Sequence, residues 1–219
     1  MGMVLTERDY NLLRWINQFG FVTRGQVSMW LGAGMITAYQ RLRKLVDEQY
    51  LKYERVSSGA GVYFLSHRGI QVSKSKLPAV RRIFMGNYHH HLQIVSLSLC
   101  LVKRFSGQYI SRRELRQAQS KEESSQKTHL SDGELILPDK RIAIEVIFYR
   151  KNKSAYEKIF NYYGQSNQYQ GVWCFYAHEV IKQQIELLIR GIDWMQLYPL
   201  NEFLNSKTSN HEFDLQITQ

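Results

Sequence analysis

The sequence predicts an α+β chain in two parts: a helical front closed by a β-hairpin, then a mixed α/β domain. Two patterns carry that reading. Apolar residues recur at helical spacing through the first fifty residues and give way to alternation near residue 50, and β-rich runs then intermix with helical ones from about residue 88. Charge marks the same division. Of a net +10, residues 1–83 hold 13 Lys/Arg against 5 Asp/Glu, while residues 84–219 hold 16 against 14. A cationic excess confined to one segment is the footprint of a phosphate-binding module.

In residues 6–19, TERDYNLLRWINQF, Leu12, Leu13, Trp15, Ile16 and Phe19 fall on one helical face. Thr6 suits the N-cap, Asp9 three residues on suits a capping arrangement, and Gly20 ends the run. After the short link Phe21-Val22-Thr23, with Thr23 as cap, RGQVSMWLG forms a second helix that stops at Gly32 to Gly34. A third helix runs from about Met35 to Gln49, with Ala38, Leu42, Leu45 and Val46 on its apolar side. The glycine-rich turn between the second and third helices is the connection a helix-turn-helix needs. Thr37, Gln40, Arg41, Arg43 and Lys44 are left as the polar and basic residues of the third helix, able to reach base edges or phosphates from a major groove.

Tyr50 to Val56 alternates as a strand, Ser57-Ser58-Gly59-Ala60-Gly61 turns, and Val62-Tyr63-Phe64-Leu65 returns. Such a hairpin after the third helix reads as a wing, with Lys52 and Arg55 placed for phosphate or minor-groove contact. The run from LTERDYNLLRWI through LRKLVDEQYLKYE to VYFLSHRGI resembles the winged-helix regulators of bacteria and their mobile elements. Residues 1–83 are therefore expected to be a winged helix-turn-helix DNA-binding domain, followed by a second domain at 84–205 and a polar tail at 206–219.

The second domain opens on a core helix at about 88–105, YHHHLQIVSLSLCLVKRF, after a basic connector at 74–86. Its three histidines point in different directions on a helix and cannot chelate one ion together. Strands are expected at 108–115, 129–137 and 141–149, the first two separated by a polar loop at about 117–128. A helix starts near Ser154, a strand covers 171–176, a helix spans about 178–190, and IDWMQLYPLNEFL supplies a final strand or packing segment. Cys100 and Cys174 both sit in apolar runs without a partner at metal-ligand spacing, and are expected as buried free thiols.

An aspartate opening one strand and a glutamate inside the next, in this element order, look like the PD-(D/E)xK nuclease fold. HLSDGELILPDKRIAIEVIFYRKNKSAYEKIFNYY, together with SRRELR and HHLQIVSLSL upstream, is similar to the replication-relaxation family of plasmid and mobile-element proteins. That family's pattern runs H-x-P-D-G, a hairpin, E-V-E, then a lysine and a tyrosine-bearing helix. The resemblance covers most of residues 88–176 and implies a winged helix in front. It also implies Asp132 and Glu145 as an acidic pair for Mg²⁺; Glu114 could supply a third carboxylate from the first strand, and Lys153, at the mouth of the following helix, could reach back to them. Two departures stand out: Ser131 replaces the proline, and Ile147 stands where a cutting enzyme needs lysine. Ile147 shares a strand face with Glu145, which favours a vestigial acidic pair, with Glu145 held by Lys153 or Arg112. A carboxylate in so apolar a strand needs a partner or a cation.

The expectation is thus a sequence-specific DNA-binding protein of a mobile element, either a transcriptional regulator or a replication or mobilisation accessory factor. Its nuclease-like domain then serves dimerisation or partner contacts through Phe148, Tyr149, Tyr156, Phe160, Tyr162 and Tyr163, although core packing is the simpler role for those rings. No cofactor is expected on that reading, and Mg²⁺ if the acidic pair is active. The alternatives are a Mg²⁺-dependent DNA endonuclease or nickase aimed by the winged helix, and a structural component of a relaxosome or replication complex, partnered by a relaxase or a replication initiator. Double-stranded DNA and a second copy of the chain are the expected partners. No apolar run reaches the roughly 18 residues of a membrane span, and no signal pattern opens the chain, so a cytoplasmic location is expected.

Overall fold

The computed structural model describes residues 3–56, 59–120 and 129–206. The expected hairpin tip at Ser57 and Ser58, most of the polar loop and nearly all of the polar tail lie outside these. Within them the chain is mixed α+β and divides into two compact units: Met1–Val95 with Arg113–Glu123, and Ser96–Arg112 with Ser124–Gln219.

The first unit begins with α1 (Glu7–Phe19). The Thr6 hydroxyl accepts from the Asp9 backbone N–H, and the Asp9 carboxylate accepts from the Thr6 N–H at 2.7 Å. This reciprocal box satisfies donors that a helix start otherwise leaves open. The short β1 (Val22–Thr23) leads into α2 (Arg24–Leu31), capped in the same way by Thr23 and Gln26. At its end Gly32 turns left-handed, with φ 60°, and α3 (Met35–Asp47) starts after Gly34. A side chain at Gly32 would cost roughly 1–2 kcal/mol in that conformation, so the tight turn between α2 and α3 is written into the glycine.

β2 (Leu51–Glu54) and β3 (Val62–Leu65) pair antiparallel, and β1 joins the far side of β3. The register sets Leu51 opposite Leu65 and Tyr53 opposite Tyr63, with Lys52 opposite Phe64 on the other face. Leu51 and Leu65 are buried, as are Leu12, Leu13 and Ile16 of α1, Val27 of α2, and Ala38, Leu42 and Leu45 of α3. The opposite face carries Phe64 and Val62, packed with Phe21, Val56, Ile83 and Tyr88.

Two stretches depart from expectation here. Residues 67–73, which the sequence left unassigned, form α4 (His67–Ser73) under a Ser66 cap. The supposed connector at 74–86 is packed into the unit, with Leu77 and Ile83 buried. Asn17 donates to Ser75 and to the Leu77 carbonyl, both at 2.8 Å, while Arg113 donates to the Pro78 carbonyl at 2.8 Å and Gln117 to that of Lys76 at 2.7 Å. Those bonds draw residues 113–119 into the first unit, so its limit is not residue 83.

α5 (Tyr88–Phe105) runs from the first unit into the second. β4 (Gln108–Ser111) follows, and then α6 (Arg112–Gln119) in place of the strand expected through Leu115. The run RRELRQAQ holds only good helix formers, and that preference prevails once β4 ends. β5 (Gly133–Ile136), β6 (Arg141–Ile147), α7 (Lys153–Gln165), β7 (Gly171–Tyr176), α8 (Glu179–Ile189), β8 (Met195–Pro199) and α9 (Leu200–Asn205) complete the chain as described.

The five strands lie in sequence order, β4-β5-β6-β7-β8. Pairing is antiparallel from β4 to β6 and parallel from β6 to β8. Parallel neighbours need a crossover, which α7 and α8 supply. Both helices pack on one face, where Tyr156, Phe160 and Tyr163 of α7 and Ile181 and Ile185 of α8 meet Ala143, Ile147 and Cys174. Another aromatic set joins Phe105, Trp173, Phe175, Tyr198 and Phe203. Cys174 is buried and Cys100 half-buried, both as free thiols. Among the described residues no helix is long and apolar enough to cross a membrane.

Candidate functional site

α3 turns its apolar stripe inward and leaves Ile36, Thr37, Gln40, Arg43 and Lys44 exposed on the opposite side. Four of the five expected contact residues of this helix are therefore available. Arg43 lies 3.9 Å from Asp47, and both side chains are 67% exposed. A pair so hydrated holds its guanidinium weakly, leaving it open to exchange for a phosphate.

Arg41 is the exception. Its Nε donates to Asp9 Oδ1 at 2.5 Å and its Nη2 to Asp9 Oδ2, a two-pronged pair with a carboxylate that is 3% exposed. Burial by itself raises the Asp9 carboxyl; hydrogen bonds from Arg41 and Thr6 outweigh it and hold the group below its ordinary value. Arg41 thus pins α3 to the start of α1 and does not stand with the other expected contact residues of the helix.

The hairpin divides its cations as well. Arg55 is exposed beyond the end of β2. Lys52 points away from Tyr53 and Tyr63, to the face that carries Phe64, where it lines a cavity of about 560 Å³ with His67, Pro78 and Arg81. It does not share a surface with Arg43, because neighbouring strand residues alternate sides.

Between α2, α3 and the hairpin lies a second cavity of about 490 Å³, lined by Arg24, Gly25, Met35, Tyr39, Arg43, Val46, Tyr53, Ala60, Gly61 and Tyr63. The sequence reading missed Arg24, Tyr39 and Tyr53. The i, i+4, i+8 spacing of Met35, Tyr39 and Arg43 was the available signal, since it makes a single ridge along one flank of α3.

Among the described residues of the second unit, three carboxylates are buried: Asp132, Glu134 and Glu145. Gly133 pairs with Ile144 and Glu134 with Ala143; extended by one residue, the register puts Asp132 opposite Glu145 on the sheet face beneath α7. The acidic pair expected from the sequence is thus brought together, and each member is taken up by the protein itself. Asp132 accepts from Arg112 at 2.9 Å and from the Val146 backbone N–H at 3.0 Å. Glu145 Oε1 lies 2.6 Å from His129 Nε2 and also accepts from the Tyr163 hydroxyl. Glu134, which the sequence reading left out, accepts from Arg141 at 2.7 Å and from Tyr169 at 2.7 Å. Burial, followed by the charge of Glu145 and its hydrogen bond, pushes the Tyr163 hydroxyl far up, so it stays protonated and donates.

The other expected members stand elsewhere. Glu114 is on α6, in the first unit, and accepts from Gln18 at 2.9 Å. Lys153, 75% exposed, pairs with Glu157 on its own helix at 3.6 Å. Neither Lys153 nor Arg112 is the partner of Glu145. Of the aromatic residues expected on a pairing surface, Tyr156, Phe160 and Tyr163 are core, whereas Tyr149 is exposed. In the histidine run, His91 is half-buried and its Nε2–H donates to the Phe21 carbonyl at 2.9 Å, a packing role that the run did not reveal.

A magnesium ion fits this arrangement poorly. Arg112, Arg141, His129 and two tyrosine hydroxyls already satisfy the carboxylates, and among the described residues no group of three or more His, Cys, Asp or Glu is placed to hold a metal ion. No cleavage step is derived from it. If the acids serve as cross-links of the sheet, Glu145→Gln should lower unfolding free energy by about 1–2 kcal/mol, because His129 and Tyr163 both meet Oε1, where an amide oxygen still accepts but without the charge that strengthens the bonds. Urea unfolding measures this. A gain in stability would instead identify Glu145 and Asp132 as like charges kept together for an added cation.

Comparison with known proteins adds no relative: no family model, no curated protein and no solved structure matches this chain.

Proposed function

We propose that the first unit is a winged helix-turn-helix that binds duplex DNA, with α3 as the reading helix and the β2–β3 hairpin as the wing. The single observation that carries this is the outward face of α3, where Thr37, Gln40, Arg43 and Lys44 stand together just after a glycine turn and just before the hairpin. Short polar and guanidinium side chains on one exposed helix are what base edges and phosphates bond to. Arg55 extends the cationic surface along the hairpin.

On this reading the chain is a DNA-binding protein of a mobile element, a regulator or a replication accessory factor akin to the replication-relaxation family. The second unit is then a nuclease-like fold in which Arg112 and His129 occupy the acids that would otherwise hold a metal. The test is duplex binding as a function of salt. With about four phosphates neutralised, affinity should fall on the order of 10²-fold between about 50 and 200 mM salt. Arg43→Ala should cost about 1–3 kcal/mol of binding if it reads a base, and should lower the salt slope by about one if it meets a phosphate. Binding indifferent to salt and to Arg43 would remove α3 as the reading helix.

A further inference from the structure

We propose that the cavity between α2, α3 and the hairpin seats a single nucleotide, its base against the tyrosine rings and its phosphate against Arg24 and Arg43. This rests on reading the first unit as DNA-binding, and adds what the unit does with a base that is not stacked in a helix.

Size and lining point to that ligand class. About 490 Å³ is far more than a lone phosphate fills and falls within the range of pockets for small organic ligands. Tyr39, Tyr53 and Tyr63 supply aromatic wall, and Met35 and Val46 extend it. Tyr53 and Tyr63 stand 5.0 Å apart, centroid to centroid, and the Arg24 guanidinium lies 5.8 Å from the Tyr39 ring centre. Arg24 and Arg43 bring two positive charges, and no described lining residue carries a carboxylate. A planar ring joined to an anion complements such walls.

At Gly61 the hairpin backbone comes close to the Tyr53 ring: a Cβ there would lie 2.2 Å from the Tyr53 hydroxyl and would push the ring aside. Tyr53 nevertheless remains 51% exposed and Tyr39 42%. Exposed aromatic rings beside cationic side chains are stacking platforms, and any base has a face to offer them.

A paired base in a duplex has both faces covered by its neighbours. The pocket therefore selects a base that is bulged, overhanging or melted, or else a free nucleotide. The probes are a short duplex with one unpaired 2-aminopurine, the same duplex with that base paired, and free 2-aminopurine deoxyribonucleoside monophosphate, each followed by fluorescence at low salt. The bulged duplex should bind on the order of tenfold more tightly than the paired one, from stacking on tyrosine, and its emission should be quenched. Tyr53→Ala should abolish both effects with the folded circular dichroism spectrum retained, and Tyr53→Phe should restore them. Quenching of the free monophosphate alone, lost in Tyr53→Ala, would keep the nucleotide seat and assign it to a soluble nucleotide. Equal binding of bulged and paired duplexes, with neither probe quenched, would overturn the pocket and leave duplex binding standing. Failure to bind any duplex would remove the DNA-binding reading itself, and with it the extruded base.

Discussion

Arg41→Ala is expected to destabilise the first unit by about 2–4 kcal/mol, the cost of leaving a buried carboxylate without its cation. Asp9 is 3% exposed and sits inside the α1 capping box, so it cannot recover the lost bonds from water. The Arg41 side chain is 28% exposed, which places the figure below the full penalty of a wholly buried pair. Urea unfolding followed by tryptophan fluorescence reads the loss, since Trp15 and Trp30 stack at 5.7 Å within this unit. The contrast with Arg43 is the sharper measurement. Arg43, two residues along the same helix, is largely exposed, and Arg43→Ala should leave stability within about 0.5 kcal/mol while weakening DNA. Should Arg41→Ala leave stability unchanged and weaken DNA instead, the Asp9 pairing would not be holding the guanidinium, and Arg41 would return to the reading face.

Acid should destabilise the same unit through His91. Burial, opposed by the hydrogen bond to the Phe21 carbonyl and reinforced by nearby His90 and Arg113, lowers its pKa from 6.5 to about 4. Its ring also lies 4.0 Å from that of Phe21. Above pH 6.5 the imidazole is neutral in folded and unfolded chains alike, and the contribution to stability is intact. Between pH 6.5 and about 4 the unfolded chain binds a proton that the folded one resists, so stability falls with pH. The loss approaches at most about 3 kcal/mol and levels off below the folded value. Asp9, whose folded pKa is lowered, adds a loss of the same sign at lower pH, as its carboxylate protonates. Unfolding series across this range in the native chain and in His91→Gln separate the two: the variant should lose the slope between pH 6.5 and about 4 and keep the fall below it. An unchanged slope in His91→Gln would assign the acid response to other groups.

How far the sequence reached can be judged from particular residues. Thr6, Asp9 and Thr23 were legible as caps, and Gly20 and Gly32 as helix ends, because a cap is satisfied by backbone within three or four residues. The strand at 171–176 was legible for a similar reason: a short apolar run with β-forming residues between polar breaks has few other places to go. The register relation of Asp132 to Glu145 was foreshadowed by the motif, since a hairpin of that length sets the two side by side. Residues 112–119 were misjudged because two tendencies competed, the alternation continuing from β4 and the helix preference of RRELRQAQ, and bonds to residues 76–78 side with the helix.

Local pattern was enough for α1, α2, α3, α5, α7 and α8, for the Thr6 and Thr23 caps and for the cationic weighting of the front of the chain, since each depends on neighbours a few bonds away. Folding in three dimensions chose the partners of the charges: Arg41 for Asp9, Arg112 for Asp132, His129 and Tyr163 for Glu145, and the far side of the hairpin for Lys52. A buried charge must be met by whichever opposite group or donor packs closest in space, and that neighbour stands 32 residues away for Asp9 and 18 for Tyr163 and Glu145. Periodicity carries no record of such distances, so which cations stay exposed on α3 emerged only after the interior had claimed its own.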